Sequence, residues 1–416
     1  MNALSVRAAA ATIIPMKIDE FHVSPRLKEL LKYDKFAEPA PRILILESRY
    51  WLDDACVHAC QTLGWPHLCV PVVQEGLLPK ENVANLLTCL ADFKPDFVFS
   101  VNLAGMDEDG LLARIYNELA IPYVTWFVDN PRTIVAQGSS VASDHAAAFT
   151  WDGAYEPYLR ELGFGLTATL PLAHDTGRFS VPDGPAGGIP PSFVTNTMTQ
   201  MARQEWQWLD RCPGLQKCVA HAFDAGLVTR NNFARGLEAL LPNHELDTAS
   251  LDEKRHVERY FFLEGTRRLR VDTANALLAE GLELYGDDAW REVLPSAKPY
   301  IHYGDEVMAH YKRSVVNVNS TSLQMPEAVN QRVFDCPVAG GFLLTDNQAS
   351  LKHLFAEDEV AVYKDLGDCR DLLSFYRAED AARKDIADRA RDRILNEHTY
   401  VHRFQEMVKL LTARFR

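Results

Sequence analysis

Short apolar runs alternate with helix-like spacing along most of the chain. The run RILILES, Arg42 to Ser48, is continuously apolar like a buried strand, and the segment from Tyr50 to Trp65 that follows has its apolar residues at helical spacing. The same alternation recurs through the strand-like runs HLCVPVV, DFVFSVN, PYVTWFVD, AAAFTWD and ATLPLAH. Nearly continuous apolar strands separated by helices are typical of a parallel sheet that is covered on both faces. The first half of the chain therefore predicts a doubly wound α/β domain.

A change of composition marks the predicted domain boundary. VPDGPAGGIPPS, Val181 to Ser192, is mostly Pro and Gly, which interrupt both helices and strands. Beyond it, a largely helical stretch at about 200–280 is combined with the strand-like runs SFVTNTM, GLELYGD, PYIHYG, SVVNVNS, GGFLLTD and EVAVYKD. We therefore predict one Rossmann-like domain at 1–180, a linker at 181–192 and a second Rossmann-like domain at 193–416. The second domain would carry the helical insertion and a charged helical tail at its C-terminus.

Composition narrows the class of protein. The 416 residues are 47% hydrophobic and 24% charged, as in soluble globular proteins of two or three domains. The formal charge of −14 and the pI near 5.4 argue against broad binding to a nucleic acid backbone, although a local basic cleft is compatible with a small anion. No apolar stretch has the length of a membrane span, and the eight scattered cysteines are typical of reduced thiols. We expect a cytoplasmic protein without a nucleic acid partner and without an integral membrane segment.

Motifs for catalytic zinc, nucleoside triphosphates and dinucleotides are missing from the sequence. It contains no HExxH, no Walker A loop and no GxGxxG. Cys56 and Cys60 would share one face of a helix, but His58 between them would point away, and no second Cys or His pair lies nearby at ligand spacing. The sequence therefore predicts no bound metal and no cofactor.

Polar loops are expected at the carboxyl ends of the strands. Ligands of an open parallel sheet bind there, where loops and helix N-termini meet, and two such domains would leave a cleft between their strand ends. The candidate loop residues are Glu47–Arg49, Asn102–Gly105, Asp129–Arg132, His174, Asn196, Gly286 and Ser320–Glu327.

The segment MPEAVNQRVFDCPVAGGFLLTD, Met325 to Asp346, predicts a helix that has a carboxylate at each end and is broken at Pro337. Glu327 would lie near the start of this helix, where any helix favours an acid, whereas Asp335 in the last turn would oppose the helix dipole by roughly 0.3 to 1 kcal/mol. The two backbones would be roughly 12 Å apart along the axis, beyond the spacing of the two carboxylates of a typical glycosidase. Two polar anchors for one extended ligand fit this spacing better, and the loop before the helix would offer free N–H groups to a phosphate.

Several runs together resemble the CgeB-like, spore-maturation-type glycosyltransferases of the GT-B superfamily. In the C-terminal half these runs are NQRVFDCPVAGGFLLTDNQASLKHLF, EVAVYKDLGDCRDLLSFY and NEHTYVHRFQEMVKLL. In the N-terminal half they are KPDFVFSVN, IPYVTWFVDNPR, LRELGF and LPLAHDTGRF. The resemblance covers most of the chain and is weakest at about 200–280. It implies a GT-B fold of two Rossmann-like domains facing a cleft, and transfer of a sugar from a nucleotide-diphosphate sugar to a protein or glycan acceptor.

The resemblance also implies roles for residues of the second half. Related glycosyltransferases often carry two Glu separated by seven residues, and Glu327 and Asp335 have this spacing with Asp in the second place. By analogy, Asp335 would bind the nucleotide ribose and Glu327 the sugar. The backbone near Ser320 and Thr321 would meet the diphosphate, and Gly286 would lie by the base.

Two further residues are expected at the donor. Arg332 lies close to Asp335 in the sequence, which favours it as a diphosphate partner over Arg132 and Arg313, although each arginine can equally be a surface or ion-paired charge. Asn196 follows the strand-like run SFVT and so belongs to a strand-end loop.

The sequence is less specific about the catalytic groups. An inverting transfer needs a general base beside the acceptor, whereas a retaining one mainly needs donor positioning and stabilisation of the leaving diphosphate. Asp129 in WFVDNPR is the first candidate base because it ends a buried strand at the predicted cleft, and a turn-forming role before Pro131 is the alternative. His174 in LPLAHD is the second candidate, with packing between the domains as its alternative. A non-catalytic nucleotide-sugar or glycan-binding protein and a nucleotide-sugar epimerase on the same fold are the alternative functions.

Overall fold

The computed structural model of the chain describes residues 23–48, 50–72, 80–107, 110–135, 141–179 and 182–416. The predictions made for residues 1–22, for Arg49 and for the boundary residues Ser180 and Val181 lie outside this part of the chain. Within it, strands form two parallel sheets, one in each half of the chain, with helices on their faces. The prediction of two doubly wound, Rossmann-like domains is therefore confirmed.

The sheets are built from short strands. The first contains β1 (Ile43–Glu47), β2 (His67–Pro71), β3 (Phe97–Val101), β4 (Tyr123–Phe127), β5 (Ala146–Thr150) and β6 (Leu166–Thr169), in the order β2-β1-β3-β4-β5-β6. The second contains β7 (Ser192–Val194), β8 (Glu283–Tyr285), β9 (Asn317–Val318), β10 (Leu343–Asp346) and β11 (Ala361–Tyr363), in the order β11-β10-β9-β7-β8. Strands β3, β4 and β5 are buried along their whole length, because helices cover both faces of the sheet.

The helices follow the predicted alternation. Those of the first half are α1 (Pro25–Leu30), α2 (Trp51–Leu63), α3 (Lys80–Phe93), α4 (Leu111–Glu118), α5 (Pro131–Ile134) and α6 (Glu156–Glu161). Between β7 and β8 lie α7 (Thr199–Leu209), α8 (Pro213–Asp224), α9 (Arg230–Ala234), α10 (Asn243–Thr248) and the long α11 (Leu251–Leu277). The remaining helices are α12 (Trp290–Val293), α13 (Asp305–Arg313), α14 (Arg332–Val338), α15 (Leu351–Leu354), α16 (Leu366–Ala378), α17 (Asp380–Glu397) and α18 (Tyr400–Phe415).

The order of the strands defines one switch point in each sheet. In the first sheet the chain runs outward from β1 to β2 and returns on the other side at β3, so the switch point lies between β1 and β3. In the second sheet β7 is flanked by β8 on one side and by β9 on the other, so the switch point lies between β7 and β9. Ligands of doubly wound sheets bind at the carboxyl ends of the strands beside such points. These two positions are therefore the expected ligand sites of the fold.

The C-terminal helix α18 returns to the first sheet. The ring of Phe404 packs edge-on against Phe99 of β3 with centroids 5.5 Å apart, and the ring of Tyr400 packs in the same way against Trp126 of β4 at 5.9 Å. Helix α18 thus contributes to the hydrophobic core under the first sheet, while the predicted bounds assign it to 193–416.

The prediction of one helix that contains both Glu327 and Asp335 is wrong. Helix α14 begins at Arg332, so Asp335 lies in its first turn and Glu327 lies in the loop before it. The side-chain amide of Gln348 donates a hydrogen bond of 2.8 Å to the Ala328 carbonyl, which a continuous helix would pair with the N–H of Arg332. The Gln348 side chain, which follows β10, thus occupies the Ala328 carbonyl that a helix would use for its own hydrogen bond, and the segment is a loop.

Three smaller details of the predicted elements are also wrong. Pro337 lies inside α14 rather than breaking the helix before it. The run PYIHYG, which starts with a proline that cannot donate to a strand ladder, forms no strand in the described structure. Strand β6 ends at Thr169, so most of ATLPLAH lies outside the sheet. Pro171 cannot donate to a strand ladder, and Arg403 of α18 donates hydrogen bonds to the carbonyl groups of Pro171 and Leu172.

Candidate functional site

Arg332, at the start of α14, joins the two strands that flank the switch point of the second sheet. Its Nη1 donates to Asn319 Oδ1 just after β9 at 2.5 Å, and its Nη2 donates to the carbonyl oxygen of Val194 at the end of β7. Its Nε donates to the Tyr311 hydroxyl at 3.3 Å. The structure therefore places this predicted donor residue between the strand ends, and its contact with a diphosphate stays a prediction.

Arg270 on α11 reaches the same strand ends from the helical insertion. Its Nη1 donates to the carbonyl oxygen of Asn196 at 2.7 Å. Its Nε is buried and has no partner within the described residues. Burial, together with the nearby charge of Arg332, lowers the pKa of Arg270 to about 9, so the side chain is still charged at neutral pH. A buried and incompletely paired cation beside strand ends is the property expected of an anion site.

A carboxylate and a third arginine hold the loop that follows β9. Asp346 at the end of β10 accepts hydrogen bonds from the N–H and the hydroxyl of Thr321, at 3.0 and 2.8 Å, and pairs with Arg230 Nη2 at 3.0 Å. Arg230 also donates to the carbonyl of Ser322 at 2.9 Å. The sequence predicted that backbone N–H groups near Ser320 and Thr321 would bind the diphosphate. The Thr321 N–H is bound to a carboxylate instead and is not free for a ligand, while Ser320 beside it is buried.

Buried polar atoms without partners surround these strand ends. Within the described residues the set comprises Arg270 Nε and the Oδ1 atoms of Asn196, Asp287 and Asn330. The other oxygen of Asp287 accepts hydrogen bonds from the N–H and the hydroxyl of Thr197, both at 3.0 Å, so this carboxylate has a fixed orientation. Buried polar groups are normally paired, and a cluster of unpaired ones indicates a place where a polar ligand binds. Acceptors beside a cation match a ligand that carries both hydroxyl groups and negative charge.

Gly286 has a packing role at this switch point. A Cβ atom at this position would lie 2.1 Å from the carbonyl oxygen of Thr195 and 2.5 Å from the ring of Trp290. Trp290 Nε1 donates to the same Thr195 carbonyl at 2.7 Å. The glycine therefore permits the ends of β7 and β8 to approach each other, and its place beside a nucleotide base stays a prediction.

Asp129 follows β4, one strand beyond the switch point of the first sheet, and its carboxylate accepts hydrogen bonds from Asn102 and Tyr50. Asn102 Nδ2 donates to Asp129 Oδ2 at 2.9 Å, and the Tyr50 hydroxyl donates to the same oxygen at 3.3 Å. The Asn102 amide is oriented by the Val128 N–H, which donates to its Oδ1 at 2.9 Å. Asn102 has a φ of 51°, in the left-handed region where strained residues concentrate at functional sites. Burial raises the pKa of the Asp129 carboxyl above its usual range, and these hydrogen bonds oppose that shift. A fixed orientation and a raised pKa are the properties that a general base needs.

The loop between β9 and α14 connects the second sheet to the strand ends of the first. Asp152, which follows β5, accepts hydrogen bonds from the N–H groups of Glu327 and the next residue at 2.9 and 2.8 Å. The Tyr155 hydroxyl donates to the carbonyl of Gln324 at 2.6 Å. The side chain of Glu327 is exposed beside Gly153, so it is accessible to a ligand between the domains.

Asp335 and His174 form a buried tie between the domains. Both side chains are 1% exposed, and His174 Nδ1 lies 2.8 Å from Asp335 Oδ1. The same oxygen accepts a hydrogen bond from the Gln331 amide at 3.0 Å, and Oδ2 accepts one from the Tyr303 hydroxyl at 2.8 Å. Both oxygens of Asp335 are used inside the protein, so the structure does not present this carboxylate to a ribose. His174 is likewise enclosed, which matches its alternative role in packing between the domains rather than that of a base.

We expect the substitution Asp335→Ala to lower the free energy of unfolding by about 3 kcal/mol, because it leaves the buried donors of His174 and Tyr303 without their acceptor at about 1 to 3 kcal/mol each. Urea unfolding followed by tryptophan fluorescence measures the change. Glu357→Ala, which removes an exposed acid, is the control and should leave stability unchanged. Unaltered stability of Asp335→Ala together with weaker nucleotide binding would instead restore the ribose role predicted from the sequence.

The cysteine pair of the first half lies on one buried face of α2, as its spacing predicts. His58, between Cys56 and Cys60, is paired with Asp175 through Nδ1 and Oδ2 at 3.0 Å. Among the described residues, no three side chains of His, Cys, Asp or Glu are grouped so that they could hold a metal ion. In the same ranges, no helix is long and apolar enough to cross a membrane.

Arg270, Arg230 and Asp53, which lies in the first turn of α2, are not among the site residues predicted from the sequence. Arg270 had a detectable signal, because it shares the buried stripe of α11 with Ala274 and Leu277, four and seven residues later, and a charge on such a stripe needs a partner or a ligand. Asp53 accepts the N–H of Ser48 at 2.8 Å through Oδ2, while its Oδ1 is buried without a partner in the described structure. Asp53 and Arg230 each lie at the start of a helix, and nothing in the sequence around them distinguishes them from ordinary charged residues at helix ends.

Comparisons with known proteins give a family match in the C-terminal half of the chain and solved structures with a similar fold. The profile of a family described as glycosyl transferase-like matches residues 259–409, which include Arg270, Asp287 and Arg332. No curated protein matches the chain. Among solved structures, the chain is similar to sucrose-phosphate synthase from Thermosynechococcus elongatus, with 9% identity, coverage of 90% of this chain and 99% of that chain, and a TM-score of 0.53.

Two further solved structures resemble the chain more weakly. One is Anabaena Alr3699/HepE in complex with UDP and glucose, with 10% identity, coverage of 90% and 100% of the two chains and a TM-score of 0.45. The other is AviGT4, a glycosyltransferase involved in avilamycin A biosynthesis, with 12% identity, coverage of 90% and 98% and a TM-score of 0.45. The likeness to the synthase shows that the chain has the GT-B fold, as predicted. The CgeB-like subfamily stays a prediction.

Proposed function

We propose that the protein is a glycosyltransferase of the CgeB-like type, which moves a sugar from a nucleotide-diphosphate sugar bound to the second domain to a protein or glycan acceptor bound to the first. The observation that carries this proposal is the charged cluster at the switch point between β7 and β9. There Arg270 has an unpaired buried Nε, Arg332 spans the two strand ends, and three buried acceptor atoms have no partner among the described residues. The GT-B fold and the match of the C-terminal half to a glycosyl transferase-like profile support it.

The cluster matches the parts of the donor in turn. The diphosphate would receive hydrogen bonds from Arg270 Nε and the positive charge of Arg332, and the hydroxyl groups of the ribose or the sugar would donate to Asn196, Asp287 and Asn330. Positive charge at this place stabilises the diphosphate most when the bond to the sugar breaks and negative charge develops on the leaving oxygen. Glu327 stays our candidate for the sugar, because its exposed carboxylate is on the loop that reaches the first domain.

Asp129 is the proposed base on the acceptor side. Its carboxylate would take the proton of the acceptor hydroxyl as that oxygen forms a bond to the anomeric carbon, while the bond to the nucleoside diphosphate breaks and its electron pair leaves with the phosphate. Asn102 and Tyr50 fix the orientation of the carboxylate. Burial raises its pKa, which strengthens it as a proton acceptor. The proposed chemistry uses only side chains of this protein and includes no metal ion or cofactor.

We expect a nucleoside diphosphate to stabilise the protein against heat, whereas the matching nucleoside stabilises it less, because the nucleoside lacks the group that the arginines would bind. A ligand at about a hundred times its dissociation constant adds about 2.7 kcal/mol of stability. Thermal unfolding with UDP, GDP, ADP and CDP, each beside its nucleoside, measures this difference. Equal shifts with nucleoside and diphosphate, or no shift with any of them, would contradict the proposed donor site.

Activity assays with the donor so identified separate the three candidate functions. Sugar appearing on an acceptor, or on water when no acceptor is added, supports a transferase. A changed sugar that is still attached to the nucleotide supports an epimerase. Binding without either product supports a non-catalytic sugar-nucleotide-binding protein.

A further inference from the structure

A cavity of about 360 Å³ lies where the helical insertion meets the first domain. One wall comes from α5, α6 and the residues before α6, and the other comes from the residues after α9 and the first two turns of α11. Its apolar lining includes Val135, Pro157, Leu237 and Leu251. The volume is within the range of small-molecule sites, and no arginine of the donor cluster is among the described residues that line it.

Two basic side chains that line this cavity have no ion-pair partner within the described chain. Glu258 is buried and is already paired with Arg132 at 3.3 Å, and it also accepts a hydrogen bond from the Asn130 amide at 3.0 Å. Lys254 and Arg255 are half-buried lining residues, and neither forms an ion pair within the described chain. Arg255 Nε is buried and has no partner there. Arg255 Nη2 donates to the carbonyl oxygen of Ile134 at 3.2 Å, so Lys254 and Arg255 line the cavity without a carboxylate at ion-pair distance among the described residues.

The rim of the cavity is different from its interior. Glu161, Arg235 and Glu238 line it and are all exposed, so water screens their mixed charges, and the Glu238 carboxylate lies close to the Arg132–Glu258 pair. The donor cluster is well separated from the interior, because Arg255 and Arg270 are fifteen residues apart on α11, roughly 22 Å along the helix. The unpaired charges of Lys254 and Arg255 therefore belong to this cavity and are no extension of the donor site.

We propose that the cavity binds a small organic anion with an apolar body, such as an aryl carboxylate or an aryl phosphate monoester, at a site separate from the donor cleft. The anionic group pairs with Lys254 and Arg255, and the apolar body lies against Pro157 and Leu237. Because the walls belong to both halves of the chain, the bound anion holds the helical insertion against the first domain. This binding does not depend on sugar transfer.

Titration calorimetry with phenyl phosphate tests the site on the full chain, and benzyl alcohol is the neutral probe of similar shape. We expect phenyl phosphate to bind one site per chain and Arg255→Gln to weaken it by about tenfold or more, since a hydrogen bond to a charged group is lost. Leu251 is 46% exposed at the start of α11, so charge can be introduced there without disturbing a core. Leu251→Glu should weaken the binding of phenyl phosphate about three- to fivefold, and Leu251→Lys should not weaken it. The two variants should bind benzyl alcohol with equal affinity.

Two controls separate this site from the donor cleft. Arg291→Gln removes an exposed arginine of α12 and should leave phenyl phosphate binding unchanged. Saturating UDP, or whichever nucleoside diphosphate binds, should change the affinity for phenyl phosphate by less than about threefold. The proposal is overturned if phenyl phosphate does not bind saturably, if the two Leu251 variants bind it equally, or if the nucleotide displaces it. A failure of nucleotide binding or of sugar transfer leaves these expected results unaltered.

Discussion

The variant Asp129→Asn is expected to bind nucleoside diphosphates like the natural protein and to transfer sugar roughly 10²- to 10⁴-fold more slowly. The amide oxygen can still accept hydrogen bonds from Asn102 and Tyr50, so the local geometry is kept. The amide cannot take the proton of the acceptor hydroxyl, and the donor is assigned to the other domain. Initial rates of transfer measure the chemical effect, and calorimetry with the nucleoside diphosphate measures donor affinity separately.

The same variant should have a second signature in its pH dependence. Burial raises the pKa of the Asp129 carboxyl, so the folded state binds this proton more tightly than the unfolded state. The stability that the group contributes is present below the ordinary carboxyl pKa and is lost as pH rises through the raised pKa. Asparagine has no such loss, so at neutral pH the variant should melt at the same temperature as the natural protein or higher. The transfer rate of the natural protein should rise with pH through the raised pKa of Asp129.

Asp96→Asn is the matched control for Asp129→Asn. Asp96 is also a buried carboxylate of the first domain, but it lies before β3, at the opposite end of the sheet, where it accepts the N–H groups of Phe36 and Arg42 at 2.5 and 2.6 Å. Its amide variant loses one of these acceptors and should be less stable, while the folded protein should transfer sugar at the natural rate. If Asp129→Asn transfers sugar at nearly the natural rate, Asp129 is not the base, and a retaining mechanism without a protein base becomes the better account.

Much of the fold was predictable because it is determined locally. Strands β4 and β5 are runs of five apolar or small residues, and burial on both faces follows from such runs alone. The helix predicted from Glu327 to Asp335 failed because distant side chains hold that segment. The Asp152 carboxylate that binds the Glu327 N–H is 175 residues away, and the Gln348 amide is 20 residues beyond the carbonyl that it takes. Neither contact is visible in the local pattern.

The location of the candidate site could be predicted from the sequence better than the residues that form it. The strand ends predicted the places of Asp129 and Asn196, because a parallel sheet fixes where its loops gather, whereas Arg332 was predicted from its closeness to Asp335 in the sequence. The position of a strand end does not decide whether a carboxylate faces a ligand or another side chain. Asp335 contacts His174, which is 161 residues away. Arg270 reaches the Asn196 carbonyl from 74 residues away, and it lies in the stretch where the resemblance to the CgeB-like family is weakest. Contacts of this range depend on the assembled fold.

Replacing Arg270 by Met should weaken the binding of a nucleoside diphosphate by about tenfold to a hundredfold without lowering the stability of the free protein. The loss of affinity follows from the removal of charge-assisted hydrogen bonds worth about 1.5 to 3 kcal/mol. Stability should not fall, because burial of the Arg270 cation is unfavourable, as its pKa of about 9 indicates, and methionine fills similar space without charge. Calorimetry with the nucleoside diphosphate and thermal unfolding of the ligand-free protein measure the two effects.

Arg268→Met is the control for Arg270→Met. Arg268 lies two residues earlier on α11, is 47% exposed and pairs with Glu264 at 2.8 Å, so its loss should leave nucleotide affinity unchanged. An Arg270→Met protein that melts well below the natural protein but binds the nucleotide normally would show that Arg270 is a structural residue, held in place for its bond to the Asn196 carbonyl. The opposite pair of results, weaker binding with undiminished stability, is what we expect of a buried cation kept for an anionic ligand, because the ligand then offsets the unfavourable burial that the Asn196 carbonyl and the charges of Asp287 and Asp346 leave uncompensated.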